Sequence, residues 1–169
     1  MFETSFSHVS ESDISSAIPD EAIIKLMHDF HLIQKLNPDC KDIQFVRQIS
    51  ENTWEYRVED NLAFVPKKLW SGGVFYTAIY TITDDGCDIT VKAPGGFTSV
   101  NRWRSVSLPE GRRVIRITSD ARCNKTFAVF VKKFLENSHG QLQRAFKDKV
   151  AAISRPGVSR RRSSWPNHE

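Results

Sequence analysis

Few side chains in this sequence are spaced for covalent chemistry. No Ser-His-Asp or Cys-His set can be argued from it, and it contains no glycine-rich phosphate loop. His28 and His31 flank Asp29, two histidines and one carboxylate of the kind that can hold iron or zinc. No third strong ligand lies near them at helical spacing. Asp29 therefore reads as a helix-end cap and His28 as a satisfied structural histidine, and no metal or other cofactor is expected. What remains is hydrogen bonding from within an apolar wall. Arg47 shares strand parity with Phe45 and Ile49, Asn101 shares it with Phe97 and Trp103, and Tyr56 and Tyr80 carry hydroxyls on aromatic bodies. A donor aimed at charge developing in a transition state can be worth about 3 kcal/mol, so these four are the candidate catalytic residues. Arg47 either enters a cavity or ends at its rim, and both Arg47 and Asn101 can equally be surface or bulge residues.

Trp54, Phe75, Phe97, Trp103, Phe127, Phe130 and Phe134 are the candidate substrate-binding residues, with the rings of Tyr56 and Tyr80 beside them. Large rigid aromatics on a curved sheet either fill the core or leave a pocket with few polar groups. A pocket that holds a substrate near its reactive conformer can promote a cyclisation without a cofactor.

Two kinds of element must position these groups. From Asn124 to Val150, Phe127, Phe130, Val131, Phe134, Leu142 and Ala145 fall on one side of a helical wheel. Lys132, Lys133, Glu136, His139, Gln143, Arg144 and Lys147 fall on the other, which is the amphipathic pattern of a long helix. Asn124 is its predicted N-cap. Gly140, on the polar side, weakens the helix by about 1 kcal/mol relative to alanine, which can let the C-terminal half shift. Before this helix the period is mostly two. Phe2–Val9 reads as a strand and Ser10–Ser16 as polar punctuation. Pro19 to Leu36 has helical spacing, with a bend near Asp29. From Asp42 to Thr118 alternating runs are broken at Asp85-Gly86 and Pro94-Gly95-Gly96, the habit of antiparallel strands. Leu62–Gly73 is either a lid over a cavity mouth or an ordinary hairpin connection. The expected fold class is α+β: a curved antiparallel sheet of about seven strands, two short helices after the first, and a long closing helix.

Bulk properties set the partners. Of 24 basic and 20 acidic residues, four arginines and one glutamate lie beyond Ser154, so the tail holds +3 of the net +4 and the body is nearly neutral. Nucleic acid is therefore not the expected partner of the domain. The cysteines Cys40, Cys87 and Cys123 have neither metal nor disulfide spacing, which places the chain in a reducing, cytoplasmic setting. No run is long and apolar enough for a membrane span. Residues 1–150 are expected to form one domain and residues 151–169 a disordered basic tail, with Arg160–Arg162 a weak acidic-lipid or nuclear address. Oligomeric state is not readable.

The element order resembles the helix-grip arrangement of the START and birch-pollen-allergen-like (SRPBCC) superfamily. At residue level, Leu26-Met27-His28-Asp29 with Asn37-Pro38, Leu62-Ala63-Phe64-Val65-Pro66 and Val74-Phe75-Tyr76-Thr77-Ala78 resemble a fungal branch of small START-like proteins. Arg122-Cys123-Asn124, Phe130-Val131-Lys132-Lys133 and His139 carry the most distinctive likeness, and the resemblance covers about Phe2 to Val150, leaving the tail unmatched. The resemblance implies a cavity between sheet and helix that takes a small apolar ligand (a terpenoid, polyketide or lipid). Some members of that branch resemble cofactor-free cyclases of secondary metabolism, one of Diels–Alder type. A non-catalytic lipid or sterol carrier would use the same cavity.

Overall fold

The structure, a computed structural model, describes residues 3–61, 68 and 72–154. Strand β1 (Glu3–Ile14) leads into helices α1 (Asp20–Met27) and α2 (Phe30–Lys35). Strands β2 (Cys40–Ser50), β3 (Thr53–Asn61), β4 (Gly73–Thr83), β5 (Gly86–Ala93), β6 (Phe97–Ser107) and β7 (Arg113–Asn124) follow, and helix α3 (Ala128–Ser154) closes the chain. The seven strands form one antiparallel sheet in the order β1-β7-β6-β5-β4-β3-β2. The order is a meander from β2 to β7, with β1 added to the far edge. This is the helix-grip α+β architecture.

Local chemistry sets the helix ends. Asp29 caps α2, its carboxylate accepting from the Leu32 backbone N–H at 3.1 Å, so the predicted bend is a break between two short helices. Asn124 accepts from the Thr126 N–H at 3.0 Å, capping a single 3₁₀ turn, Lys125–Phe127, from which α3 continues. At 1.5 Å per residue the 27 residues of α3 run about 40 Å, enough to cross the sheet. The helix includes Ala151 and Ala152, strong helix formers that carry it through Ser154, past the expected boundary at residue 150. Residues 155–169 lie outside the described residues.

Three expectations are corrected. The first strand does not stop at Val9: β1 pairs with β7 from Glu3↔Asn124 to Ile14↔Arg113. The polar Ser10 and Ser12 are among its inward positions, and they read as punctuation only because burial of polar residues leaves no hydrophobic pattern. The β4–β5 turn is Asp84-Asp85, with Thr83 paired to Gly86. Gly86 is required for space, since a Cβ there would lie 1.8 Å from the Trp103 backbone oxygen. The third correction concerns two residues of the expected polar side of α3, whose apolar side is buried at Val131 as expected. His139 and Gln143 are only 2% and 6% exposed, whereas Phe127 is 36% exposed. The inward face of β1 carries His8 and Ser10, so polar helix residues are the ones that can satisfy it.

Buried side chains gather in two groups. The larger joins α1 and α2 to the sheet and to the C-terminal half of α3 through Phe30, Met27, Tyr80, Trp103, Ile117 and Phe146. A smaller one joins Val131 and Leu135 of α3 to Ala121 and Cys123 of β7. Among the described residues no helix is long and apolar enough to cross a membrane.

Two glycines separate steric from conformational effects. Gly86→Ala is expected to destabilise the fold by about 2–3 kcal/mol through overpacking. Gly140→Ala, whose Cβ would meet only the Arg144 guanidinium at 3.6 Å, should stabilise it by about 1 kcal/mol. Urea unfolding of the two variants beside the parent checks both signs.

Candidate functional site

The sheet curls away from the N-terminal half of α3 and leaves a cavity of about 350 Å³ between them, within the range of roughly 300–1,000 Å³ common to ligand sites. Its apolar wall includes Ile89, Val91, Phe97, Trp103, Phe130 and Phe134. Tyr76 and Asp60 line one side, and Asn101, Ser119 and His139 another. β5 runs between them with Ile89 and Val91, and β4 and β6 stand about 10 Å apart at normal strand spacing. Two polar clusters thus face one apolar space.

The first cluster centres on Asp60 at the end of β3. Its Oδ2 accepts from the Tyr76 hydroxyl at 2.9 Å and from the Asn37 amide at 3.2 Å. The Gln34 amide donates to the Tyr76 oxygen at 2.7 Å. Asp60 Oδ1 is buried with no hydrogen-bond partner among the described residues. Burial pushes the Asp60 carboxyl up from 3.8 to about 6, partly offset by the Tyr76 hydrogen bond. Asp60 therefore exchanges a proton near neutrality. Burial also raises Tyr76, with the neighbouring Asp60 charge adding to it, so the phenol stays protonated.

The second cluster joins three elements. His139 Nδ1 lies 2.8 Å from the Ser10 hydroxyl and Nε2 lies 2.7 Å from the Ser119 hydroxyl. Ser119 donates to Asn101 Oδ1 at 2.6 Å, its direct cross-strand neighbour. His8 meets the His139 ring edge-on at 4.6 Å. Burial, and then the His8 charge, hold His139 down at about 4, so the ring is neutral at physiological pH. Burial raises the thiols of Cys40 and Cys87 to about 11 and about 12, and it raises that of Cys123. A thiolate nucleophile is disfavoured at all three.

The expected site residues divide by strand parity. Asn101, Phe97, Trp103, Phe127, Phe130 and Phe134 line the cavity. Arg47 is exposed and pairs with Glu55 at 3.4 Å. A bulge between Phe45 and Arg47 sets Phe45 opposite Tyr56 but Arg47 opposite Glu55, turning Arg47 to the other face of β2. Phe75 is 45% exposed under the Arg57 guanidinium. Its odd position is opposite in parity to Tyr76 and Tyr80, so it cannot share their face. Trp54, Tyr56 and Tyr80 do point inward, but they form the bed for the helix pair. Phe30 stacks on Tyr56 at 4.2 Å, Tyr80 donates to the Met27 carbonyl at 2.6 Å, and Trp54 leans on Tyr80. None of these last five is part of the cavity wall.

Asp60, Tyr76, Ser119 and His139 were not anticipated as site residues. Parity with Asn101 and Phe97 along paired strands marks Ser119, and parity with Ala78 and Tyr80 marks Tyr76. Parity with Trp54, Tyr56 and Val58 places Asp60 on the inward face of β3, whereas the helical phase of His139 points to the polar side of its helix. His28 donates to the Thr83 carbonyl at 2.8 Å, and no cluster of three metal-ligating side chains occurs among the described residues. The lid expected over Leu62–Gly73 lies outside the described residues, apart from Lys68, Gly72 and Gly73.

The curved sheet, the helix pair and the long closing helix define a helix-grip fold. It is similar to that of the Zhui aromatase/cyclase from Streptomyces sp. R1128, at 12% identity over 93% of this chain and 99% of that one, TM-score 0.67. It is also similar to a START superfamily protein from Mycobacterium smegmatis, at 14% identity over 89% and 99%, TM-score 0.62. Ara h 8.0201 matches at 16% identity over 88% and 99%, TM-score 0.59. At these identities the likeness is one of fold. No curated protein matches the sequence. The chain belongs to the family described as a domain of unknown function, DUF7053, whose pattern matches residues 3–152.

The two clusters pull stability in opposite directions with pH. Asp60 has a folded pKa above its unfolded value, so the folded state holds the extra proton and stability falls as pH rises from about 4 to 6. His139 has a folded pKa below its unfolded value, so its contribution is present above about 6.5 and is lost as pH falls towards 4. Asp60→Asn should leave only the histidine slope. Its Tm is expected to rise through pH 4–6.5 more steeply than the parent's and to exceed it at pH 7. Calorimetric melts across that range test this, and a lower Tm at pH 7 would show the carboxylate to be favourably solvated.

Proposed function

We propose that the protein binds a mid-sized apolar natural product in this cavity and promotes a cofactor-free cyclisation or a pericyclic, Diels–Alder-type rearrangement of it. The observation that carries this reading is the cavity itself. Its wall is largely apolar, and its few polar groups include a carboxyl that exchanges a proton near neutral pH. Apolar walls set the folded conformation of a flexible substrate, which removes much of the entropy cost of ring closure. Asp60 supplies general acid–base chemistry, giving or taking one proton beside the bound molecule. The cluster of Asn101, Ser119 and His139 orients its polar end. The motif likeness to fungal START-like proteins supports a place in fungal secondary metabolism, and the three free cysteines suit the cytoplasm.

A non-catalytic lipid or sterol carrier is the second reading. It is favoured by Ser119 and His139, which are already hydrogen-bonded within the protein and so do not demand a reaction.

Native mass spectrometry of the full chain purified from its own host should show one apolar molecule bound, whose identity gives the substrate class. With an acyclic precursor of that molecule, Asp60→Asn is expected to keep binding within about twofold and to lose at least about 10²-fold in kcat. Phe134→Trp, which fills the space, should abolish binding. Tight binding with no turnover by the parent would leave the carrier.

A further inference from the structure

The polar groups beneath α3 form one chain with a direction, and the direction follows from its fixed end. One nitrogen of the Gln143 side chain lies 3.1 Å from the Ile115 carbonyl oxygen, which can only accept. That atom is therefore the amide nitrogen, and its second proton goes to the Ser10 oxygen at 3.0 Å. At the other end the single Ser119 proton goes to Asn101 Oδ1, so Ser119 must accept from His139 Nε2, and Ser10 gives its one proton to His139 Nδ1 at 2.8 Å. A neutral imidazole has one ring proton, so it sits on Nε2 and is donated to the Ser119 oxygen at 2.7 Å. Ser119 in turn donates to Asn101 Oδ1 at 2.6 Å, which leaves the Asn101 amide nitrogen to donate to the Ser99 oxygen at 3.2 Å.

Ser99 ends the chain. It is 5% exposed and forms part of the cavity wall. Its cross-strand neighbours on the two sides are Val91 and Ala121, neither with an accepting side chain. Its oxygen accepts from Asn101 on one lone pair, and its proton remains to be given to an accepting atom in the cavity.

We propose that this wall of the cavity is a hydrogen-bond donor, and that it selects ligands carrying a carbonyl oxygen (a ketone, ester or quinone) held by the Ser99 hydroxyl. The proposal rests on the cavity being the ligand site and adds the functional group that must lie at its Ser99 wall. Hydrocarbon at that wall would leave a buried hydroxyl proton unpaired.

Two probes of nearly equal shape test this on the full-length protein: 2-acetylnaphthalene and 2-ethylnaphthalene. Ser99→Ala is expected to weaken binding of the ketone by roughly threefold to tenfold, the worth of one net hydrogen bond. Binding of the hydrocarbon should stay unchanged or improve slightly. The infrared carbonyl stretch of the bound ketone should lie below its value in alkane solvent with the parent and return to that value with Ser99→Ala. Nitrogen-15 spectra of the unliganded parent should show His139 as the Nε2–H tautomer, a readout that needs no variant. An Nδ1–H tautomer, or equal effects of Ser99→Ala on both probes with no carbonyl shift, overturns the donor assignment while leaving the cavity as a binding site. If neither probe binds the parent, the cavity reading falls and this one falls with it.

Discussion

The constraint on which the rest of the molecule depends is the burial of His139 between two serines. A neutral imidazole shut away from water must fill both ring nitrogens, and an unfilled one costs about 1–3 kcal/mol. Ser10 of β1 and Ser119 of β7 fill them from adjacent strands. Satisfying both sets the rotation of α3 about its own axis and its height over the β1–β7 edge. Gln143, one turn further along the helix, repeats the contact on Ser10 and on the Ile115 carbonyl. The seam is short, polar and specific, whereas apolar packing alone would tolerate sliding.

The cavity follows from that seam. With the middle of α3 pinned to the sheet edge by polar contacts, its C-terminal half drops onto the main core through Phe146 and Val150. Its N-terminal half closes on β7 through Val131 and Leu135. Phe130 and Phe134 line the cavity opposite the middle strands. The helix pair is committed elsewhere, since Phe30 stacks on Tyr56 and Met27 receives the Tyr80 hydroxyl. The space is bounded by elements that each have a stronger attachment in another direction.

Much of the architecture was legible along the chain. Alternation of period two read as strands, helical spacing around Asp29 as two short helices, and the final run as a long helix capped near Asn124. The wall aromatics on β6 and α3 were legible for the same reason, because parity and helical phase survive folding unchanged. Phe75, expected in the wall, is excluded by the same parity, because it cannot face the same way as Tyr80. Arg47 is a different case. One extra residue in β2 exchanges the faces of Arg47 and Gln48, and no signal in Gln44–Gln48 announces the bulge.

Asp60 and His139 show where local reading ends and tertiary structure begins. Residue types, alternation and helical phase are properties of neighbours in sequence, and they settled the elements, their order and the largely apolar character of the space between them. Whether a polar residue is buried depends on what a distant strand presents to it. His139 sits on the charged side of its own helix and is nevertheless enclosed, because an unusually polar inward face of β1, more than 120 residues earlier, supplies its partner. Asp60 looks like one acid among many near the end of a strand. Only the approach of Asn37 and Tyr76 and the loss of water around its second oxygen turn it into a group that titrates near neutrality. Hydrogen bonding and desolvation are set by three-dimensional surroundings, so the chemistry of this site belongs to the tertiary structure.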